Sequence, residues 1–466
     1  MKRSILFIGN PLWVFAFLSM VVFTSCQKED LMEDQAANTA DVVQISDHEV
    51  ERLILERYFR IETSSLHDEA LMSRYNEVLS TLPPKAQASL TDVVARVHAS
   101  HEATGTNQLA RLRRKGGSKS QTAIAAPVPA ERFAADVDIS LNRIYAGSQA
   151  EQSVYEFLNS SSAPLLNTIT PNVPAEGFGE SFSVSGNWMA VGATGAFGDP
   201  GQVFIFKKMG GSWVEQQILT GPITDNAFGV ALELKGNTLV VTSFGPLDPM
   251  TSTIAGTISV FRRIGNQWQL VDTITRPDNL WLEVDLNLTG TRIVASSIIN
   301  FDLAVIRASV FSLTPSGYTF DQEIIVPNTD AALPGDVRLS FNRILLTSFE
   351  PGDRQFLFTL NGGNWTFAQE LIHPLGDFGT NRAGDIQANR IVIGAGSGND
   401  SIPEAVYAFD KQGGTFNLTE TFIPADAGVD LALGEIAIQG NNIVVGSRGD
   451  FQVPGSTGRV VVFKMW

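Results

Sequence analysis

From about residue 122 to the end of the chain, apolar and polar positions alternate in short runs, the period of half-buried β-strands, and the runs recur as a unit. The unit is best seen from the apolar step that follows an Asn-type turn. It reads Asn142-Arg143-Ile144, Asn187-Trp188-Met189, Asn237-Thr238-Leu239, Thr291-Arg292-Ile293, Asn342-Arg343-Ile344, Asn389-Arg390-Ile391 and Asn441-Asn442-Ile443, seven copies about 50 residues apart. Each run closes on two small residues: Gly147-Ser148, Gly192-Ala193, Thr242-Ser243, Ser296-Ser297, Thr347-Ser348, Gly394-Ala395 and Gly446-Ser447. Small side chains suit strands that converge on a narrow axis. A phenylalanine then recurs in every unit, at Phe157, Phe206, Phe261, Phe311, Phe358, Phe409 and Phe463, and its simplest role is a core plug between neighbouring units. Most units continue with a Gly or Ser turn and an aromatic, at Trp213, Trp268, Tyr318, Trp365 and Phe416, and several end in proline, at Pro222, Pro277, Pro327 and Pro374.

Four strands per unit with no helix between them describe one blade of a β-propeller. The expected fold is therefore mainly β, a seven-bladed propeller over residues 122–466. The last unit has only three strands before Trp466, so the segment 122–130 is predicted to supply its outermost strand and close the ring. Closure removes the sheet edge that an open array would expose.

Upstream, helical spacing replaces alternation. Ser46-Asp47-His48-Glu49 fits a capping box before Val50, Leu53, Ile54 and Phe59. Further helices are expected at 68–82, stopped by Pro83-Pro84, and at 85–101, giving a small three-helix N-terminal region over 41–115. A basic, flexible linker at 116–121 joins it to the ring. His48, His67, His98 and His101 lie here; the spacing of His98 and His101 suits a metal, but no carboxylate or thiolate motif completes a set, and solvent-facing histidines are the preferred reading. Residues 26–40 read as a tether.

The first 25 residues begin with Lys2 and Arg3, run through an interrupted apolar stretch and end at Thr24-Ser25 before Cys26, the order of an export signal. Phe23-Thr24-Ser25-Cys26 resembles a bacterial lipoprotein lipobox, with Phe23 where leucine is usual. Gln27-Lys28-Glu29-Asp30 is similar to the surface-export signal of Bacteroidetes lipoproteins. The resemblance implies lipidation at Cys26, the one cysteine of the chain, and display on the outer membrane, lipid-anchored and surface-exposed.

Phe178-Gly179 followed by Gly192-Ala193, with Val203-Phe204-Ile205-Phe206 and Trp213, resembles the FG-GAP repeat of integrin-α-like propellers in its bacterial form. Phe228-Gly229 opens the next unit in the same way, and Phe133-Ala134 is a weaker copy. Integrin-type propellers carry Asp-rich calcium loops in several repeats. Here the connection between the first two strands is a tight hairpin such as Ser185-Gly186-Asn187-Trp188, too short to wrap such an ion, and Asp136-Val137-Asp138-Ile139-Ser140 alternates as a strand. No metal and no cofactor are expected.

The formal net charge is −16 and there are only 5 His and 1 Cys, which argues against nucleic acid as partner, a thiolate zinc site, an iron–sulfur cluster or a disulfide framework. The acidity concentrates in loops. The second-to-third-strand loops and the inter-blade loops are the long ones, so the expected ligand face is the long-loop face. Its candidates are Phe197, Asp199, Asp248, Phe301, Asp302, Asp353, Arg354, Asp400, Arg448, Asp450 and Phe451, with Asp225 and Asp336 among the acidic residues of the inter-blade loops. The bland reading is a rim that keeps a surface protein soluble, and Arg448-Gly449-Asp450 arises easily by chance. His373, the propeller's one histidine, is expected to be structural, and no paired carboxylates stand out as a catalytic set. The expected function is a monomeric, non-catalytic protein- or glycan-binding module, not an enzyme. The alternatives are an accessory subunit of an outer-membrane complex docked through the helical region, or a polysaccharide-active enzyme.

Overall fold

A computed structural model describes residues 121–465 apart from 129–132, 196–199, 223–224, 249–252, 277–278, 300–304, 327–332, 350–354, 374–382, 396–404, 425–433 and 448–457. The signal segment with Cys26, the tether and the helical region at 41–115 lie outside the described residues.

The described residues form seven four-stranded antiparallel sheets, and each repeat of the sequence is one sheet. In blades 1 to 6 the strands follow chain order from the axis outward. Blade 7 is completed by Gln121–Ala125, which pairs antiparallel with the final strand Arg459–Lys464 in the register Gln121↔Phe463 to Ala125↔Arg459. The fold is a seven-bladed β-propeller.

The seven repeated phenylalanines explain how blades stack. Each stands opposite the apolar residue of the Asn-type step, in the pairs Ile144↔Phe157, Met189↔Phe206, Leu239↔Phe261, Ile293↔Phe311, Ile344↔Phe358, Ile391↔Phe409 and Ile443↔Phe463. All seven are at most 4% exposed. Each belongs to a cluster that also holds side chains of the preceding blade: Phe206 packs with Tyr145 and Val154, Phe463 with Val392 and Val406, and Phe157 with Val444 and Val460. In blades 1 to 6 the pairing with the outer strand shifts register immediately before this phenylalanine, a bulge that twists the blade's outer half. Blade 7, whose outer strand comes from residues 121–125, pairs without that shift.

The small pairs mark backbone contact between blades. A β-carbon on Gly147 would sit 2.1 Å from Gly179 O of blade 2, one on Gly192 2.4 Å from Gly229 O of blade 3, and one on Gly446 2.0 Å from Ala134 O of blade 1. The Phe-Gly pairs are the other half of this contact. Gly179 and Gly229 adopt φ of +87° and +97°, and their N–H groups donate to Gly192 O and Thr242 O at 3.1 Å. Phe178 and Phe228 beside them are fully buried and meet Phe206 and Phe261 edge-on. Ala134 holds the same positive-φ position in blade 1 at 61°.

The residue after the turn Asn reaches the next blade's outer aromatic. Trp188 meets Trp268 edge-on at 5.9 Å, and the guanidinium groups of Arg292 and Arg343 lie over Trp365 and Phe416 at 5.5 and 5.4 Å. In blade 7 the corresponding partner is Met465, whose Sδ accepts from Arg390 at 3.0 Å.

Candidate functional site, the central channel

The innermost strands are Phe133–Ser140, Phe182–Ser185, Leu232–Lys235, Asn279–Leu286, Leu333–Ser340, Gly384–Gln387 and Ile436–Gln439. One position of each stands opposite the residue that follows the apolar step, so these seven share a level: Asp138, Ser183, Glu233, Asp285, Arg338, Asp385 and Ala437. Period-2 alternation sends them to one face, and the ring turns that face inward. They line a central cavity of about 900 Å³, with Asp136, Glu180, Glu283 and Glu435 toward one end and Ser140, Lys235, Gln387 and Gln439 toward the other.

Several of these groups link one blade to the next. Asp138 accepts Val184 N at 2.8 Å, Ser183 Oγ accepts Leu234 N at 3.1 Å, Asp285 accepts Leu339 N at 2.6 Å and Asp385 accepts Ile438 N at 2.8 Å. Asp136 accepts Phe182 N at 2.7 Å. Lys235 bridges to Asp285 at 2.5 Å and to Glu233 at 3.5 Å, and donates to Leu286 O at 2.9 Å. Arg338 pairs with Asp336 at 3.7 Å and reaches Glu435, two blades on, at 3.1 Å. These bonds tie the inner strands together where no sheet hydrogen bonding can.

Among the described residues carboxylates outnumber the two cations that line the channel, and their proton affinities respond. Burial raises Asp138 to about 6 despite the N–H groups of Val184 and Ile139. Burial also raises Asp136 and Asp385, against the N–H groups that bond them, and raises Glu233, where Lys235 opposes and Asp285 adds. Burial pulls Lys235 down, but Asp285 and Glu233 hold it above its ordinary value. Arg338 is likewise held high by Asp336 and Glu435 against burial. The channel is an acceptor-rich space that favours donors and positive charge.

One mouth of the channel is ringed by the turns between first and second strands. Glycine holds the leading turn position in blades 2, 3 and 7, as Gly186, Gly236 and Gly440, at φ of +61°, +64° and +59°. Blades 1 and 5 place Leu141 and Phe341 there, at φ of 49° and 54°, with 68% and 66% exposure. Blade 4 has a longer turn carrying Leu288, 72% exposed. Leu288 and Phe341 line the cavity.

The sequence places its candidate ligand-binding residues on the long loops. Phe197, Asp199, Phe301, Asp302, Asp353, Arg354, Asp400, Arg448, Asp450 and Phe451 fall outside the described residues. Asp248, expected in a loop, is the last residue of the strand Thr238–Asp248 and pairs with Thr253, because blade 3 extends its second and third strands into a long hairpin. Asp225 and Asp336, expected on an exposed acidic rim, are 4% and 1% exposed. Asp225 accepts from Ser243 Oγ at 2.7 Å, and Asp336 lies in an inner strand. His373 is 3% exposed and stacked on Tyr407 at 5.4 Å; burial lowers its pKa to about 4. Among the described residues no group of three or more His, Cys, Asp or Glu is placed to hold a metal ion.

No family model matches the chain, and no curated protein matches it. Solved structures are similar in fold at low identity. A chain of Kuenenia stuttgartiensis hydrazine synthase is 12% identical with a TM-score of 0.53, over 75% of this chain and 99% of that one. A chain of a mitotic checkpoint complex is 11% identical with a TM-score of 0.49, over 78% and 98%. Sqt1 of Saccharomyces cerevisiae is 12% identical with a TM-score of 0.47, over 75% and 99%. The likeness to the hydrazine synthase chain is one of fold alone.

Proposed function

We propose that this protein is a surface lipoprotein, anchored through Cys26 to the outer membrane, whose propeller is a non-catalytic binding module for protein or glycan, related to the bacterial FG-GAP propellers. The observation that carries the reading is the use made of the channel's polar side chains. Asp138, Ser183, Asp285 and Asp385 each accept a backbone N–H of the following blade, and Lys235 and Arg338 are held by carboxylates. They make the ring a rigid platform rather than a set of groups converging on one reacting atom. The Phe-Gly contacts at Gly179 and Gly229 support the family reading, because they serve the same blade junction in consecutive repeats.

The test is in cells that make the full chain. Cys26→Ala is expected to move the protein from the membrane fraction to the soluble one, and crosslinking on intact cells to recover a specific partner. Membrane retention of Cys26→Ala overturns the anchor. Hydrolysis of a polysaccharide panel, abolished by changing one channel carboxylate, overturns the non-catalytic reading.

A further inference from the structure

We infer that the hairpin-side mouth of the central channel docks a segment of a partner protein that presents a lysine or arginine side chain between apolar neighbours. This rests on the binding-module reading and names its partner's chemistry.

The apolar half of the argument lies at the turns. A left-handed backbone at a bulky residue is strained, and an exposed large apolar side chain gains nothing from burial. Phe341 and Leu141 carry both penalties at the position where Gly186, Gly236 and Gly440 carry neither. Leu288 adds a third exposed apolar side chain on the same rim. A ligand that covers these side chains removes the second penalty.

The charged half lies below them. The channel has an excess of carboxylates over Lys235 and Arg338, so an occupant is selected for positive charge. At one level Asp138, Glu233, Asp285 and Asp385 come from four different blades, an arrangement suited to a long, flexible cation and not to a compact metal ion. Ser140, only 8% exposed, lines this end of the cavity. Asp138 is two residues deeper on the same strand, about 7 Å, a depth that an extended lysine or arginine side chain spans. Such a side chain lays its alkyl stem against the apolar rim and its cation among the carboxylates.

The test measures fluorescence polarisation of a labelled peptide carrying one lysine flanked by leucine and phenylalanine, with the full chain. A matching peptide with glutamine for lysine is the control. The lysine peptide is expected to bind about tenfold tighter or more, with affinity falling as NaCl is raised from roughly 50 to roughly 500 mM. The double variant Leu141→Gly, Phe341→Gly is expected to lose about tenfold or more in affinity at an equal or higher Tm, since glycine is the residue the positive φ favours. Glu233→Gln should weaken the lysine peptide and leave the control unchanged. Equal binding of both peptides, no binding of either, or full affinity in the double variant overturns the inference. Cadaverine binding as tightly as the lysine peptide overturns it in favour of a free amine. A cellular partner still crosslinked to the double variant leaves the binding module standing and removes this site alone.

Discussion

Gln217 and the backbone of Trp268 are joined twice across a blade junction: the Gln217 amide donates to Trp268 O at 2.8 Å, and its carbonyl accepts Trp268 N at 2.8 Å. Gln322 holds Trp365 in the same way at 2.8 and 2.7 Å, and Gln369 holds Phe416 at 2.7 and 2.8 Å. Asp272 supplies the accepting half alone, taking Tyr318 N at 2.6 Å. The outer strands, too far from the axis to share the channel's contacts, are thus clipped to one another by one side chain per junction. Gln322→Ala removes both bonds, at about 1 kcal/mol each, and is expected to lower stability by about 2 kcal/mol. Gln322→Glu keeps the acceptor and should lose about half of that. Chemical denaturation of the two variants checks the ratio.

Glu156 is the deepest charge between blades 1 and 2, with its side chain fully buried. Lys208 bonds it, Asn167 donates to it at 2.6 Å, Trp213 Nε1 donates at 3.0 Å, and Arg143 lies 3.4 Å away. Lys208→Met leaves a buried carboxylate short of its main partner and should cost about 3 kcal/mol. The double variant Glu156→Leu, Lys208→Met should cost clearly less than the two single changes added together, because each single change strands the other's charge. A double-mutant cycle by urea denaturation reads the coupling, and additive costs would count against the buried pair.

Gly446→Ala tests a close backbone contact between the last blade and the first. The added carbon would stand 2.0 Å from Ala134 O, so blades 7 and 1 must separate. The expected result is a large fall in Tm or loss of soluble protein. Gly414→Ala, at an exposed turn where an added carbon meets nothing within 4 Å, should be tolerated.

Stability should bend with pH in two opposed ways. His373 is held at about 4 by burial against an ordinary 6.5, so the unfolded chain takes up this proton more readily. Stability is lost as pH falls from 6.5 toward 4, by up to about 3 kcal/mol. Asp138 is raised to about 6 against 3.8, so here the folded state takes up the proton more readily, and stability is lost as pH rises from 3.8 through 6. His373→Phe should flatten the first trend and Asp138→Asn the second, measured as Tm between roughly pH 4 and 8.

Deleting residues 118–130 removes the outer strand of blade 7 and uncovers the edge of Arg459–Lys464. The expected outcome is a lower Tm and concentration-dependent association through that edge. An unchanged Tm in a monomeric protein would show that the ring does not need the strand.

Much of this architecture is legible in the chain. The seven phenylalanines mark the blade junctions because a plug is selected for size and burial, and those survive as residue type. The channel was hidden because Asp136 with Asp138, Glu233 with Lys235 and Glu283 with Asp285 each look like the polar face of an ordinary strand. That seven such faces converge is a property of ring closure and not of any segment. A signal was nevertheless present: aligning repeats on the turn Asn sets Leu141 and Phe341 against Gly186, Gly236 and Gly440, and a bulky residue where glycine repeats is a local inconsistency that usually has a function behind it.

The closing strand also imposes an order of events on synthesis. Gln121 and Phe463 are partners about 340 residues apart, so the chain emerges with one of the four strands of its last sheet already made and nothing to pair it with. Every other blade can assemble from neighbours in sequence as it appears, but the ring is locked only when the final strand arrives. An export apparatus that keeps the chain extended until its last residues have passed would suit this topology, and a truncated chain would be left with a permanently open circle.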